Sequence, residues 1–297
     1  MEAVLEWGAR LGPAQVAGGA LLVNLLLFLV AVGAGGWLVR RFGECRVAPV
    51  PGPVTPAERV LIAVTVLLNS VVTTAGWLLW RAGWIRLSPL TGPRAVVELV
   101  LLTLVMDALM YAGHWIAHRR RVYPMVHEVH HRCPDPRPAT LFVMHPLEVL
   151  GFGGAWLAVL CVRGVSIAAV GGFVVVNLVF GLLGHLGVEP VPARVRRWRV
   201  FHWVALPMFH VGHHADPSVN LGFYTTGWDR LFGTVDPGYD RIRAAQGYES
   251  IAGRAHGSSP RCRCPRRCDR RHRRARPAGH RPDRHHPGRQ QARPQHH

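Results

Sequence analysis

No lysine occurs among the 297 residues, so every permanently cationic side chain is an arginine. Cysteine is scarce too. Cys45, Cys133 and Cys161 are scattered, and Cys262, Cys264 and Cys268 lie near the C-terminal end. None forms a CxxC pair, and nothing resembles a disulfide framework or a cysteine set for an iron–sulfur cluster. No GxGxxG unit follows a strand-like run, so no dinucleotide site is expected within the chain. The stretch before the first apolar run is too short for a haem domain and lacks the basic start of a cleaved leader, so that run is expected to be a retained membrane helix. Histidine is absent before His114. The net charge of +18 is uneven: residues 251–297 hold 14 arginines against 2 aspartates, and the rest is only mildly basic. That asymmetry does not make the body a nucleic-acid binder.

What the chain has in quantity is long uncharged runs. A bilayer crossing takes about 20 apolar residues, and the runs Gln15–Val39, Val60–Trp80 and Ala95–His118 meet that length. A proline-rich loop, 48–56, separates the first two. The third run carries Glu98 and Asp107, so one of its faces is expected to look inward. Two further runs, Leu147–Val162 and Val165–Val188, flank Arg163-Gly164 and read either as two spans or as a re-entrant hairpin. The expected architecture is all-α: an integral, multi-pass bundle of four or five transmembrane helices with a cytosolic helical cap. Three parts are expected: N-terminal membrane helices at 1–94, a catalytic domain at 95–250 and a disordered basic tail at 251–297. The tail reads as a segment touching anionic lipid or as a misread GC-rich coding frame, with metal binding by its histidines a distant third reading. Arginine is concentrated in loop 40–59 and segments 119–137 and 194–199, which puts those segments on the cytosolic side. Loop 81–94, with three arginines, falls on the other side and weighs against this.

Eleven of the 18 histidines fall between His114 and His214, and the other seven lie in the tail. His114 and His118 are four apart and share a helix face. His127, His130 and His131 form HEVHH, and His210, His213 and His214 form HVGHH with the same spacing. Each cluster is expected to aim two or three imidazoles at one locus. One metal takes about four to six ligands, so eight or nine histidines point to a metal pair. HEVHH also satisfies the HExxH zinc-protease signature, but that reading leaves His130 and the HVGHH repeat unexplained. A histidine-relay transporter or sensor would place its site near the bilayer midplane, whereas these histidines lie mostly in polar segments at one surface. Zinc has no redox chemistry, whereas a pair of redox metals could act on dioxygen. Asp107, two helical turns before His114, either accepts a ring N–H from a ligand or is a buried polar group of the bundle.

The stretch YAGHWIAHRRRVYPMVHEVHH resembles the sterol desaturase and fatty acid hydroxylase superfamily. So do HPLE at His145–Glu148, His185 on the last apolar run, and LPMFHVGHH followed by Asn220-Leu221-Gly222 and by Asp229-Arg230-Leu231-Phe232-Gly233-Thr234. The resemblance covers roughly 100–240. It implies a membrane oxidoreductase with two iron ions that uses dioxygen to hydroxylate or desaturate a lipid C–H bond. It implies metal ligation by His114, His118, His127, His130, His131, His185, His210, His213 and His214. His145 matches the superfamily's HP motif, read as a helix start or ligand support; His202 matches no motif and reads as a surface or interface residue. Some relatives carry a further histidine where this chain has Glu189, which puts a tenth histidine ligand in doubt. With no electron-carrying group of its own, the enzyme would need an external electron donor, a reductase or small carrier. Arg119-Arg120-Arg121 reads first as membrane anchoring and second as a docking site for such a carrier.

Overall fold

The structure, a computed structural model, describes residues 1–244. The basic tail expected at 251–297 lies outside the described residues. A short helix, α1 (Glu2–Arg10), precedes α2 (Pro13–Arg41), which starts on a proline at its first turn, where the missing N–H costs nothing. The proline-rich loop ends at Thr55, whose hydroxyl accepts from Glu58 N while Glu58 accepts from Thr55 N, a reciprocal cap that starts α3 (Pro56–Arg81). The chain returns as α4 (Pro93–Ala117). Two single helical turns, α5 (Tyr123–Val126) and α6 (Glu128–His131), then carry the HEVHH cluster.

Next come α7 (Pro146–Val162) and α8 (Ile167–Gly184). His145 accepts from Leu147 N at 3.2 Å and opens α7, which accounts for the HP motif as a helix start. Ser166 Oγ accepts from Ala169 N to open α8. The described chain closes with α9 (Ala193–Arg196), α10 (Pro207–Ala215), α11 (Gly227–Phe232) and α12 (Tyr239–Ala244).

Among the described residues four helices, α2, α3, α4 and α8, are long and apolar enough to cross a membrane, and α7 is apolar but has 17 residues. The protein is an all-α integral membrane bundle. The turn between α7 and α8 decides between two crossings and a shallow hairpin. Leu87-Ser88 (β1), in the α3–α4 connection, pairs in parallel with Val165-Ser166 (β2), and Glu98 near the start of α4 accepts from Ser166 N at 2.7 Å. The α7–α8 turn therefore reaches the same end of the bundle as the α3–α4 turn, so α7 and α8 each traverse its depth. At about 1.5 Å per residue α7 is about 25 Å long, slightly short of a full hydrocarbon thickness.

The opposite end of the bundle collects the histidine-bearing segments. Val47 N and Ala48 N donate to Gly187 O, and Glu189 N donates to Cys45 O, so the chain leaving α2 is stitched to the chain leaving α8. Arg137 pairs with Glu58 at 2.5 Å and fastens the loop after α6 to the head of α3. His114, at the end of α4, and His185, at the end of α8, thereby face α6 and α10.

Candidate metal centre

All nine histidines expected as ligands gather into two groups. His114, His118, His127, His131 and His213 form one, and His130, His185, His210 and His214 form the other, with donor atoms in each group within 4.8 Å of one another. Each cluster does aim two imidazoles at one locus, and the third ring of each HxxHH turns to the other group. In HEVHH, the i,i+4 pair His127 and His131 joins the first group, while His130 turns to the second. In HVGHH, the i,i+4 pair His210 and His214 joins the second, while His213 crosses to the first. Residues one position apart on a helical turn diverge by about 100°, so each HxxHH serves both groups.

The hydrogen bonds at the outer ring nitrogens fix what the inner ones offer. His114 Nδ1 lies 2.7 Å from Leu221 O, His213 Nδ1 2.8 Å from Val219 O, His185 Nδ1 2.8 Å from Gly181 O and His130 Nδ1 3.2 Å from Val143 O. A carbonyl only accepts, so each Nδ1 carries the proton and each neutral ring presents a bare lone pair at Nε2. His127 does the same through Glu148, whose carboxylate accepts from Nδ1 at 2.7 Å. Yet the Nε2 atoms of His114 and His127 are 3.0 Å apart and those of His130 and His185 3.3 Å apart. Two lone pairs at that distance repel. A cation between them turns the repulsion into ligation, and an all-imidazole donor set suits a borderline transition metal. The residues present fit two such ions.

Burial prevents the cheaper escape of protonation. Burial holds His130 down to about 4 and His185 to about 3, and pushes His210, His213 and His214 well below the ordinary imidazole range, helped by neighbouring rings. Unfolded histidines take up protons near pH 6.5, whereas these stay neutral until well below it. Between those limits the unfolded chain binds more protons, so metal-free protein should lose stability as pH falls below about 6.5. Thermal unfolding of chelator-treated protein in detergent should give a melting temperature that drops from pH 7 to pH 5. A flat profile would contradict the burial argument.

Four acidic residues are sorted by the geometry. Glu148, not Asp107, is the carboxylate behind one of the candidate ligand rings, that of His127. Asp107 instead accepts from Tyr224 N and Thr225 N at 3.2 Å each and from Thr225 Oγ1 at 2.5 Å, pinning the 224–225 turn to α4. Glu189 is buried outside both groups: α8 ends at Gly184 and Gly187 has φ 63°, so the chain has left the helix before the fourth residue after His185. Glu128, the general base of the protease reading, points away and pairs with Arg132 at 3.1 Å. His202 pairs with Asp240 at 3.2 Å and belongs to neither group.

The loop supplying two of the carbonyls is itself held by residues whose roles sequence reasoning missed. Asn220 adopts φ 57°, donates to Phe209 O and accepts from Asp236 N. Buried Asp229 accepts from Leu221 N and Gly222 N at 2.7 Å each and from Thr234 Oγ1 at 2.7 Å. The quoted motifs at 220–222 and 229–234 were the available signal.

Glu148→Gln keeps the shape but can no longer offer a charged acceptor to His127. Loss of such a supporting carboxylate typically costs about 10–100-fold in metal affinity. Competition titration with a chromophoric chelator should show that loss for one of two ions. Unchanged affinity would remove Glu148 from the site.

Residues 99–234 match the fatty acid hydroxylase family. Methylsterol monooxygenase 1 of Gallus gallus is 29% identical over 131 residues, 44% of this chain and 43% of the relative. Methylsterol monooxygenase 1 of Danio rerio is 30% identical over 131 residues, with 44% of each chain covered. The very-long-chain aldehyde decarbonylase GL1-1 of Oryza sativa subsp. indica is 28% identical over 136 residues, 44% of this chain and 22% of the relative. The chain thus spans less than half the length of these relatives. No solved structure matches.

Proposed function

Segment 99–234 belongs to the sterol desaturase and fatty acid hydroxylase superfamily, and from that premise we propose that the protein is a membrane oxidoreductase that holds two irons and uses dioxygen to oxidise a lipid C–H bond. The observation that carries this is the pair of histidine groups with bare Nε2 atoms turned on one another. His114, His118, His127, His131 and His213 would hold one iron, and His130, His185, His210 and His214 the other. When bound, the iron pair supplies the redox chemistry that reduces dioxygen while the C–H bond is oxidised. Hydroxylation consumes two electrons and two protons from outside and yields an alcohol and water. Desaturation draws on the same ligands and removes a second hydrogen instead.

The chain's own residues contribute position and dryness. Carbonyls of Leu221, Val219, Gly181 and Val143 hold the ring protons of His114, His213, His185 and His130 outward, so these four rings need not rotate on binding. A narrow crevice walled by Phe180, Leu206 and Phe223 abuts His185 and His210 of the second group, giving that group an apolar flank but no room for a lipid chain without movement. The electrons come from a separate reductase or small carrier. The arginine-rich loops at 40–59, 119–137 and 194–199 favour a cytosolic metal end, where such a donor would be available.

The test is isotopic. Membranes containing the protein, given a reductant and ¹⁸O₂, should yield lipid bearing one ¹⁸O, or a lipid two hydrogens lighter. Neither product should form in a His213→Ala, His214→Ala double variant. Lipid profiles identical with and without the protein across sterol, acyl and alkyl lipids would overturn the proposal.

A further inference from the structure

One surface of the cap is apolar where a water-facing domain should not be. Leu231 is 68% exposed, Phe232 62% and Trp203 52%. Trp203 lies beside α11, which bears Leu231 and Phe232: Thr226 N donates to Trp203 O at 3.0 Å, and the Arg230 guanidinium lies 5.8 Å from the Trp203 ring. Its height relative to the bundle follows from α4. The Phe232 ring stacks on Tyr111 at 5.6 Å, and Tyr111 Oη lies 3.0 Å from Thr234 Oγ1. Tyr111 stands 17 residues beyond Arg94, about 25 Å along the helix axis. With Arg94 at one membrane surface, a hydrocarbon layer about 30 Å thick ends past Tyr111. Phe232 therefore lies at or just below the second surface. On α4 itself, Trp115 and Ile116, one turn beyond Tyr111, are also exposed. Arg194 and Arg199, both exposed, precede Trp203 on the same connection.

We propose that Trp203, Leu231 and Phe232 insert into the bilayer interface beside α4, with Arg194 and Arg199 over anionic lipid headgroups. Aromatic side chains favour that zone, and arginines near it favour an anionic leaflet. The occupant is lipid and not a protein, because the patch sits at membrane depth against a span. The contact lies close to the chemistry: α11 bears Phe232 on its outer face and, inward, Asp229, which holds the loop whose Leu221 carbonyl orients His114.

Full-length protein carrying the photo-crosslinker benzoylphenylalanine at Leu231 or at Phe232, irradiated in native membranes, tests this. Mass spectrometry should find phospholipid adducts at both positions, as at Leu104 on the exposed side of α4, and none at exposed Arg241. Anionic headgroups should be enriched at least about twofold over bulk lipid, an enrichment lost in an Arg194→Gln, Arg199→Gln background. Protein adducts, or no lipid adducts at 231 and 232 while Leu104 yields them, would overturn the insertion. Adducts matching bulk composition would overturn the arginine contact.

Discussion

Replacing His213 with alanine is expected to remove one of two bound metals and to cut lipid oxidation by more than about 100-fold, beyond what loss of a mere supporting residue causes. The reason lies in where His213 sits. It is fully buried, its Nε2 is 3.1 Å from both His118 and His131, and its proton is committed to Val219 O. Alanine opens the middle of the five-histidine group and leaves the four-histidine group intact. His214→Ala should do the reverse, since its Nε2 meets His210 at 3.1 Å in the other group. Each variant, analysed for metal per chain and for product by mass spectrometry, should retain one ion and little activity. Two ions and full turnover in His213→Ala would show that the groups are not the sites described. Loss of one ion, and not both, in each variant separates two sites from one shared site.

The second large effect is on stability, at Asp229. Alanine there leaves Leu221 N, Gly222 N and the Thr234 hydroxyl without their acceptor. A buried donor left unsatisfied costs about 1–3 kcal/mol, so the variant should lose about 3 kcal/mol or more from a total of only about 5–15. Asp229→Asn keeps one acceptor oxygen and should fall between. Gly222→Ala attacks the same contact from the other side, because an added Cβ would meet Asp229 Oδ2 at 2.5 Å and collide with Thr225 O. Thermal unfolding in detergent should order the proteins wild type, Asp229→Asn, Asp229→Ala. A wild-type melting point for Asp229→Ala would mean the loop is held by something else.

The histidines were legible because helical spacing is short-range: i,i+4 pairs at 114/118, 127/131 and 210/214 share a face whatever surrounds them. The apolar runs were legible for the same local reason, and the spans follow them to within a few residues. How the clusters divide between two groups was not legible, since it depends on α6 and α10 facing each other across the ends of α4 and α8. The choice of Glu148 over Asp107 was equally hidden. Both lie on apolar helices, and only tertiary packing turns one towards His127 and the other towards Tyr224 and Thr225. The carbonyl acceptors have no sequence signal of their own, although Asn220, Gly222 and Asp229, which fix two of them, stood inside quoted motifs. The short helix α1 escaped notice because a nine-residue amphipathic stretch is too brief to stand out beside a span.

The central claim is that the two histidine groups hold two irons. It is tested most directly by elemental analysis of full-length protein purified in mild detergent from iron-replete cells. The account predicts about two irons per chain, as the two donor groups require. A single zinc, or folded protein with no metal, would contradict it.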